Sequence, residues 1–207
     1  LGAHALKTAY SILVGVVAVF TPAPSFIGRF RLGKVNQLDT NPVLDADAPI
    51  LLFMPAYNEE EAVAECIERV PPRVLDRPVE VLIVDDGSVD STVDRARKSG
   101  AQVVELGQNQ GLGAAVRTGL EIGVERNAAA VVFCDADGEY PPEELANMVA
   151  PILDGEADYV VGSRFLGRID HMRPHRRFGN HVLTRALQVV ARQKISDGQS
   201  GYRALSL

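Results

Sequence analysis

From Pro49 onward, short and largely apolar runs alternate with stretches of helical spacing, and few folds accommodate such a pattern. Ile50 to Met54, Val79 to Val84, Ala101 to Leu106, Ala129 to Cys134 and Tyr159 to Val161 read as strands. None alternates strictly between polar and apolar residues, so both faces of each strand must be covered, as happens in a parallel sheet flanked by helices. The intervening segments read as those helices. One is capped at Asn58 and stopped by Pro71-Pro72, one runs from a cap near Asp90 to Gly100, one runs from Leu112 to Arg126, and one starts at Pro141-Pro142, where proline suits the first turn. A chain of 207 residues has room for one domain with a substantial core but not for two with linkers. The pattern predicts a single α/β domain over residues 49–207. In such sheets ligands bind beyond the carboxyl ends of the strands, which directs attention to the residues that follow each one.

After the first strand, Pro55-Ala56-Tyr57-Asn58-Glu59-Glu60 offers a ring able to stack on a base, although the same acids also suit a plain helix cap. After the second, Asp85 and Asp86 precede Gly87-Ser88-Val89-Asp90. Carboxylates there can accept hydrogen bonds from a ribose diol or a base N–H, and Gly87 gives the backbone room to turn; a capping turn reads the same way. The fourth strand runs straight into Asp135-Ala136-Asp137-Gly138-Glu139. Carboxylates at i and i+2 of a frayed strand end can face one point, and hard cations such as Mg2+ or Mn2+ take oxygen ligands while leaving positions for phosphate. The same tripeptide occurs at Asp45 to Asp47, but only the later copy caps a buried strand. The segment Gly107 to Ala115 lacks the third glycine of the dinucleotide fingerprint and follows the third strand, so a Rossmann dehydrogenase is a poor reading. Its glycines, Gly113 among them, suit either close backbone approach to a ligand or a tight turn.

Charge is distributed unevenly. The chain carries a net −6, yet Arg164 to Lys194 holds eight Lys or Arg against the single acid Asp170, leaving −13 on the remainder. An acidic body argues against general affinity for nucleic acid. Five arginines and two histidines fall between Arg164 and Arg177, and guanidinium forks match phosphate oxygens, including those of anionic lipid headgroups. A solvated basic loop is the plain alternative. At the other end, Thr8 to Gly28 is a run of 21 residues without a charge, broken by Pro22 and Pro24 and followed by Arg29, Arg31 and Lys34. Residues 1–34 are read as a hydrophobic N-terminal segment able to attach the chain to a membrane, with the rest on the cytoplasmic side by the positive-inside rule. A signal peptide, a re-entrant anchor or a helix packed on the body are the alternatives. Residues 35–48 read as a linker. Cys66 and Cys134 fall in a helix and a strand and read as buried thiols, not as a disulfide framework.

Taken in order, the segments PAYNEE, VDDGSVDST, NQGLGAA, DADGEYPPEEL, VGSRF and SDGQSGYRAL resemble family-2 glycosyltransferases of the GT-A fold, particularly the dolichyl- or polyprenyl-phosphate mannose synthase branch. The resemblance covers about Pro49 to Leu207 and implies a nucleotide-sugar-binding, Rossmann-like three-layer sandwich with a mainly parallel sheet. Because the family's catalytic domain continues past the last motif, a truncation at Leu207 is expected. The resemblance implies that Pro55, Ala56, Tyr57, Glu59 and Asp85 hold the nucleoside, that Asp86 lies toward the sugar and phosphates, and that Gly113 and Ala136 line the donor site. It places Mg2+ or Mn2+ on Asp135 and Asp137, with Glu139 standing where mannose synthases often carry a glutamine ligand. Arg164, Arg176, Arg177 and Arg203 match positions at donor or acceptor phosphates. Asp197 opens the motif where related enzymes with hydroxyl acceptors place a base.

The implied reaction is an inverting, metal-dependent transfer of a hexose, mannose or glucose, from a nucleoside-diphosphate sugar such as GDP-mannose to a polyprenyl or dolichyl phosphate, with Asp137, Arg164 and Asp197 as catalytic residues. A lipid phosphate is already an anionic nucleophile and needs positioning and charge neutralisation more than proton removal. A sugar hydroxyl would need a base, for which Asp197 stands first. A sugar-phosphate nucleotidyltransferase is disfavoured by the lack of an early basic Gly-rich loop. A non-catalytic nucleotide-sugar-binding scaffold at a membrane completes the alternatives.

Overall fold

The computed structural model describes residues 27–30, 45, 47–163 and 200–207. The five expected strands all form. In chain order, β1 is Ile27–Phe30, β2 Ile50–Ala56, β3 Arg73–Val74, β4 Arg77–Asp85, β5 Gln102–Glu105, β6 Ala130–Cys134, β7 Tyr159–Gly162 and β8 Tyr202–Leu205. The helices are α1 Val63–Glu68, α2 Thr92–Lys98, α3 Leu112–Glu125 and α4 Leu145–Leu153, the last preceded by a 3-10 turn over Pro142–Glu144.

The sheet is mixed around a parallel centre. β6, β2, β4 and β5 run parallel in that spatial order, as the largely apolar runs predict. β8 is inserted between β6 and β7 and runs antiparallel to both, so β7 again points with the parallel set. β1 pairs antiparallel with β7, and the short β3 folds back on the start of β4. The stretch at Tyr202 looks only polar and turn-rich in the sequence. Its place deep in the sheet comes from two neighbouring strands that bury Tyr202, Ala204 and Leu205.

Side chains of β2 divide cleanly between the two faces. Ile50, Leu52, Met54 and Ala56 pack with Val63, Cys66 and Ile67 of α1, Ala96 of α2, and Leu145, Met148, Val149 and Ile152 of α4. Leu51 and Phe53 pack on the other face with Ala115, Val116, Leu120 and Ile122 of α3. Both faces of β2 are thereby sealed, which is why the run Ile50 to Met54 shows no polar alternation. Phe53 stacks on Phe133 of β6 with ring centroids 5.7 Å apart. Both cysteines are free and buried. Arg77 ties the approach to β2 down by donating from Nη1 to the carbonyls of Asp45 and Ala48 at 2.8 and 3.0 Å.

Candidate active site

Four loops meet beyond the carboxyl ends of the parallel strands. The loop after β2 is cross-linked to the loop after β4. The Asn58 amide donates to Ser88 Oγ at 2.9 Å while Asn58 Oδ1 accepts from the Val89 amide at 2.9 Å. The Glu59 amide donates to Thr92 Oγ1 at 2.8 Å, and the Ser91 amide donates to Glu60 Oε2 at 3.1 Å. This corrects the expectation that Asn58 caps a helix: Asn58 sits at φ 56°, and α1 starts only at Val63. An asparagine tolerates that left-handed backbone while its amide serves the neighbouring loop. Tyr57 projects from this paired structure with 46% of its surface exposed, where a planar base can lie on it.

Asp85 and Asp86 are both buried at the end of β4. Asp85 accepts from the amides of Gly87 and Ser88, each at 3.1 Å from Oδ2. Asp86 accepts from the amides of Gln110 and Gly111, at 2.7 and 2.9 Å. The Gly-rich segment is therefore docked on the second acid as well as turning into α3. Gly87 sits beneath it at φ 81°, and a Cβ there would stand 2.7 Å from the Gln108 carbonyl carbon. Only glycine meets both demands at this position. Gly113 lies in the first turn of α3 with open space around it.

At the end of β6, Asp135 is half-buried, Ala136 is buried, and Asp137, Gly138 and Glu139 are exposed. Asp137 Oδ1 accepts from the Glu139 amide at 2.9 Å, forming the turn that Gly138 makes at φ 79°. The loop is supported from below by Cys66, whose Sγ lies 3.5 Å from the Ala136 carbonyl oxygen it donates to. Burial pushes the Cys66 thiol above its ordinary value, and burial pushes Cys134 well above, so neither is a thiolate. Glu59 is brought close enough to Asp137 for their charges to interact. Its carboxyl is raised by burial first, then by the negative charges of Asp137 and Asp90.

Among the described residues no three His, Cys, Asp or Glu side chains converge as a ready-made metal cage. Asp135, Asp137 and Glu139 thus do not form an all-protein ligand shell. One or two carboxylates at an open strand end, with Glu59 nearby and raised by burial and then by the charge of Asp137, fit instead a divalent ion that arrives with substrate phosphates and keeps them as ligands. Arg203 sits on β8, where its Nε donates to the Ser200 carbonyl at 2.7 Å and its Nη1 to the Tyr159 hydroxyl at 3.1 Å. Arg164, Arg176, Arg177 and Asp197 lie outside the described residues, as does the apolar run from Thr8 to Phe26.

Residues 52–206 match the model of glycosyl transferase family 2. The chain belongs to that family. This family-2 chain is 31% identical over 180 residues to the UDP-N-acetylglucosamine–dolichyl-phosphate N-acetylglucosaminyltransferase of Methanococcus voltae, a match that covers 78% of this chain and 70% of the relative. It is 33% identical over 165 residues to the polyprenol monophosphomannose synthase of Mycolicibacterium smegmatis, covering 74% and 60%. Among solved structures it resembles glucosyl-3-phosphoglycerate synthase from Mycobacterium tuberculosis in complex with Mn2+, UDP-glucose and glycerol 3-phosphate. That match has a TM-score of 0.56 at 26% identity and covers 77% of this chain and 57% of the other. The fold is accordingly that of GT-A glycosyltransferases. The chain spans about half to two thirds of the length of most of the proteins it matches.

Two residues of the site escape a reading of spacing alone. Tyr140 and Gly201 stand 61 positions apart, yet the Gly201 amide donates to the Tyr140 hydroxyl at 2.7 Å, directly beside Asp135. Each belongs to a motif visible in the sequence, but nothing in either motif says that the two touch.

Proposed function

We propose that this family-2 domain transfers a hexose from a nucleoside-diphosphate sugar to a polyprenyl or dolichyl phosphate at the cytoplasmic face of a membrane, with inversion at the anomeric carbon and with Mg2+ or Mn2+ as cofactor. The observation that carries the reading is the approach of the loops after β2 and β6, which brings Glu59 near enough to Asp137 for their charges to interact, with the exposed ring of Tyr57 on the same loop as Glu59. The names of the relatives support the lipid-phosphate acceptor. A basic run from Arg164 to Lys194 supplies charge of the sign such a headgroup requires.

In this reading a phosphate oxygen of the lipid attacks the anomeric carbon, the bond from that carbon to the donor pyrophosphate breaks, and the nucleoside diphosphate leaves with the electron pair. A divalent ion, when bound, would supply charge neutralisation to that departing pyrophosphate. Tyr57 provides a stacking face for the base. Asp85, held by two backbone amides, retains acceptor capacity for a base or ribose donor in a fixed direction. Asp86 acts indirectly, by holding the Gly-rich loop in place. Asp135 and Asp137 present oxygen ligands. Arg164, Arg176 and Arg177 are assigned to donor and acceptor phosphates. Asp197 is the base only if the acceptor is a hydroxyl.

A specific observation favours a second acceptor class: the solved relative was captured with glycerol 3-phosphate, a soluble phosphorylated alcohol. Incubating the chain with GDP-mannose, UDP-glucose or UDP-N-acetylglucosamine, Mn2+ and either a polyprenyl phosphate or a small phosphorylated alcohol separates the two. A glycolipid and free nucleoside diphosphate are expected. Transfer to the soluble acceptor alone would replace the lipid reading, and pyrophosphate release from a nucleoside triphosphate would overturn both. Asp137→Ala should abolish turnover while leaving the fold intact, and metal-dependent turnover retained in that variant would refute the assigned ion site.

A further inference from the structure

Gly201 is a glycine whose backbone does not explain it. Its φ lies outside the left-handed region, unlike Gly87, Gly107, Gly111 or Gly138. Space explains it instead. A Cβ at Gly201 would stand 1.7 Å from Asp135 Oδ2 and 2.4 Å from Asp135 Cγ, far inside contact distance. The carboxylate of Asp135 occupies the volume that any other residue at 201 would claim.

Gly201 itself is held from several sides. Its amide donates to the Tyr140 hydroxyl at 2.7 Å, and its carbonyl accepts from the Asp135 amide at 3.0 Å. The preceding Ser200 is buried, donates from Oγ to the Gly162 carbonyl at the end of β7, and accepts from the Tyr202 amide at 3.1 Å. The Tyr140 ring is in turn fixed against Tyr202, with centroids 6.0 Å apart. The segment 200–202 cannot withdraw, so a side chain at 201 would have to displace the carboxylate at the tip of Asp135.

We infer that Gly201 and Tyr140 are positioning residues for Asp135: the strand β8 brings a glycine notch against the end of β6, and Tyr140 locks that notch so that the carboxylate points in one direction. The arrangement couples the last motif of the chain to the metal-binding motif more than 60 residues earlier, and either can be disturbed without touching substrate. This rests on the reading of Asp135 as a ligand of a donor-bound ion. Outer partners that orient a metal ligand typically change metal affinity by about 10–100-fold when lost.

The experiment measures Mn2+ binding by electron paramagnetic resonance in the presence of UDP or GDP, and separately the thermal midpoint of the metal-free chain, for wild type, Gly201→Ala, Tyr140→Phe and the pair Asp135→Ala with and without Gly201→Ala. Gly201→Ala should weaken Mn2+ by about tenfold or more. Tyr140→Phe keeps the ring and removes only the hydroxyl that accepts from the buried Gly201 amide, so it should weaken Mn2+ by a smaller factor and lower the midpoint only modestly. In the Asp135→Ala background the added methyl finds space, so Gly201→Ala should cost no further Mn2+ affinity and no stability. A merely structural glycine would lower the midpoint equally in both backgrounds. Wild-type Mn2+ affinity in both Gly201→Ala and Tyr140→Phe overturns the inference while leaving the donor site standing. If Gly201→Ala does not fold, Tyr140→Phe decides by the same measure. A wild-type chain that binds no Mn2+ with either nucleotide overturns the donor-site reading and the inference together.

Discussion

Gly119 and Gly123 lie on the side of α3 that packs against β2 and β6, and the packing reverses what helix propensity alone predicts for them. Replacing a mid-helix glycine by alanine ordinarily stabilises by about 0.8–1 kcal/mol, because the freer glycine backbone loses more entropy on folding. At Gly119, however, a Cβ would stand 2.3 Å from Cδ2 and 2.5 Å from Cγ of Phe53. Phe53 is fully buried and stacked on Phe133, so its ring has nowhere to swing. Overpacking of a core costs typically about 1–3 kcal/mol, and a clash with a trapped ring belongs at the upper end. The difference predicts that Gly119→Ala destabilises by about 2 kcal/mol, which for a domain of this size lowers the melting temperature by about 4–8 °C. Gly113 in the same helix has nothing within 4 Å of where its Cβ would stand. Gly113→Ala should therefore show the propensity term alone, a gain of up to about 1 kcal/mol. Urea denaturation at constant m-value, paired with calorimetry, measures both variants. A Gly119→Ala protein as stable as wild type would refute the close approach of α3 to the sheet, and with it the argument from magnitudes.

Asp86→Asn keeps one acceptor oxygen but turns an N–H toward one of the two amides that the carboxylate receives from Gln110 and Gly111. Because that loop is exposed and water can substitute, the loss should fall near the low end of a charged hydrogen bond, about 1.5 kcal/mol. It should appear as faster amide exchange at Gln110 and Gly111 with unchanged exchange at Val131, and unaltered exchange at the loop would sink the docking argument. For Glu59, whose folded carboxyl is raised by burial and by Asp137 and Asp90, the charged form opposes folding. Its contribution is most favourable below the ordinary glutamate range and is lost as pH rises through the raised folded value. Metal-free Glu59→Gln should thus be more stable than wild type near about pH 7, with the gap closing below about pH 4. A gap that widens in acid would reverse the sign and exclude the proximity of Glu59 to Asp137.

What the amino-acid order alone determined was the parallel centre of the sheet. β2, β6 and the second half of β4 are legible because a strand sealed on both faces must be apolar there, a property written locally in Ile50 to Met54 and Val131 to Cys134, whereas the edge strand β5 is exposed at Gln102 and Glu105 and shows only its Val103-Val104 centre. The polar loops that follow these strands are legible for the same reason, since a parallel sheet exposes its carboxyl ends to ligand. Other features depended on partners distant in the chain, and no local pattern could announce them. Tyr202 to Leu205 is four residues after a turn-rich stretch, and it is a strand only because β6 and β7 lie open on either side of it. Asn58 is an inter-loop bridge, not a cap, because Ser88 and Val89 are folded up against it. Gly87 and Gly201 look alike as turn glycines, yet one is required by a positive φ beneath a docked loop and the other by the volume of an aspartate. Chemistry of the side chains could be read residue by residue, whereas the direction in which Asp135 points is decided by contacts that exist only after the chain has closed on itself.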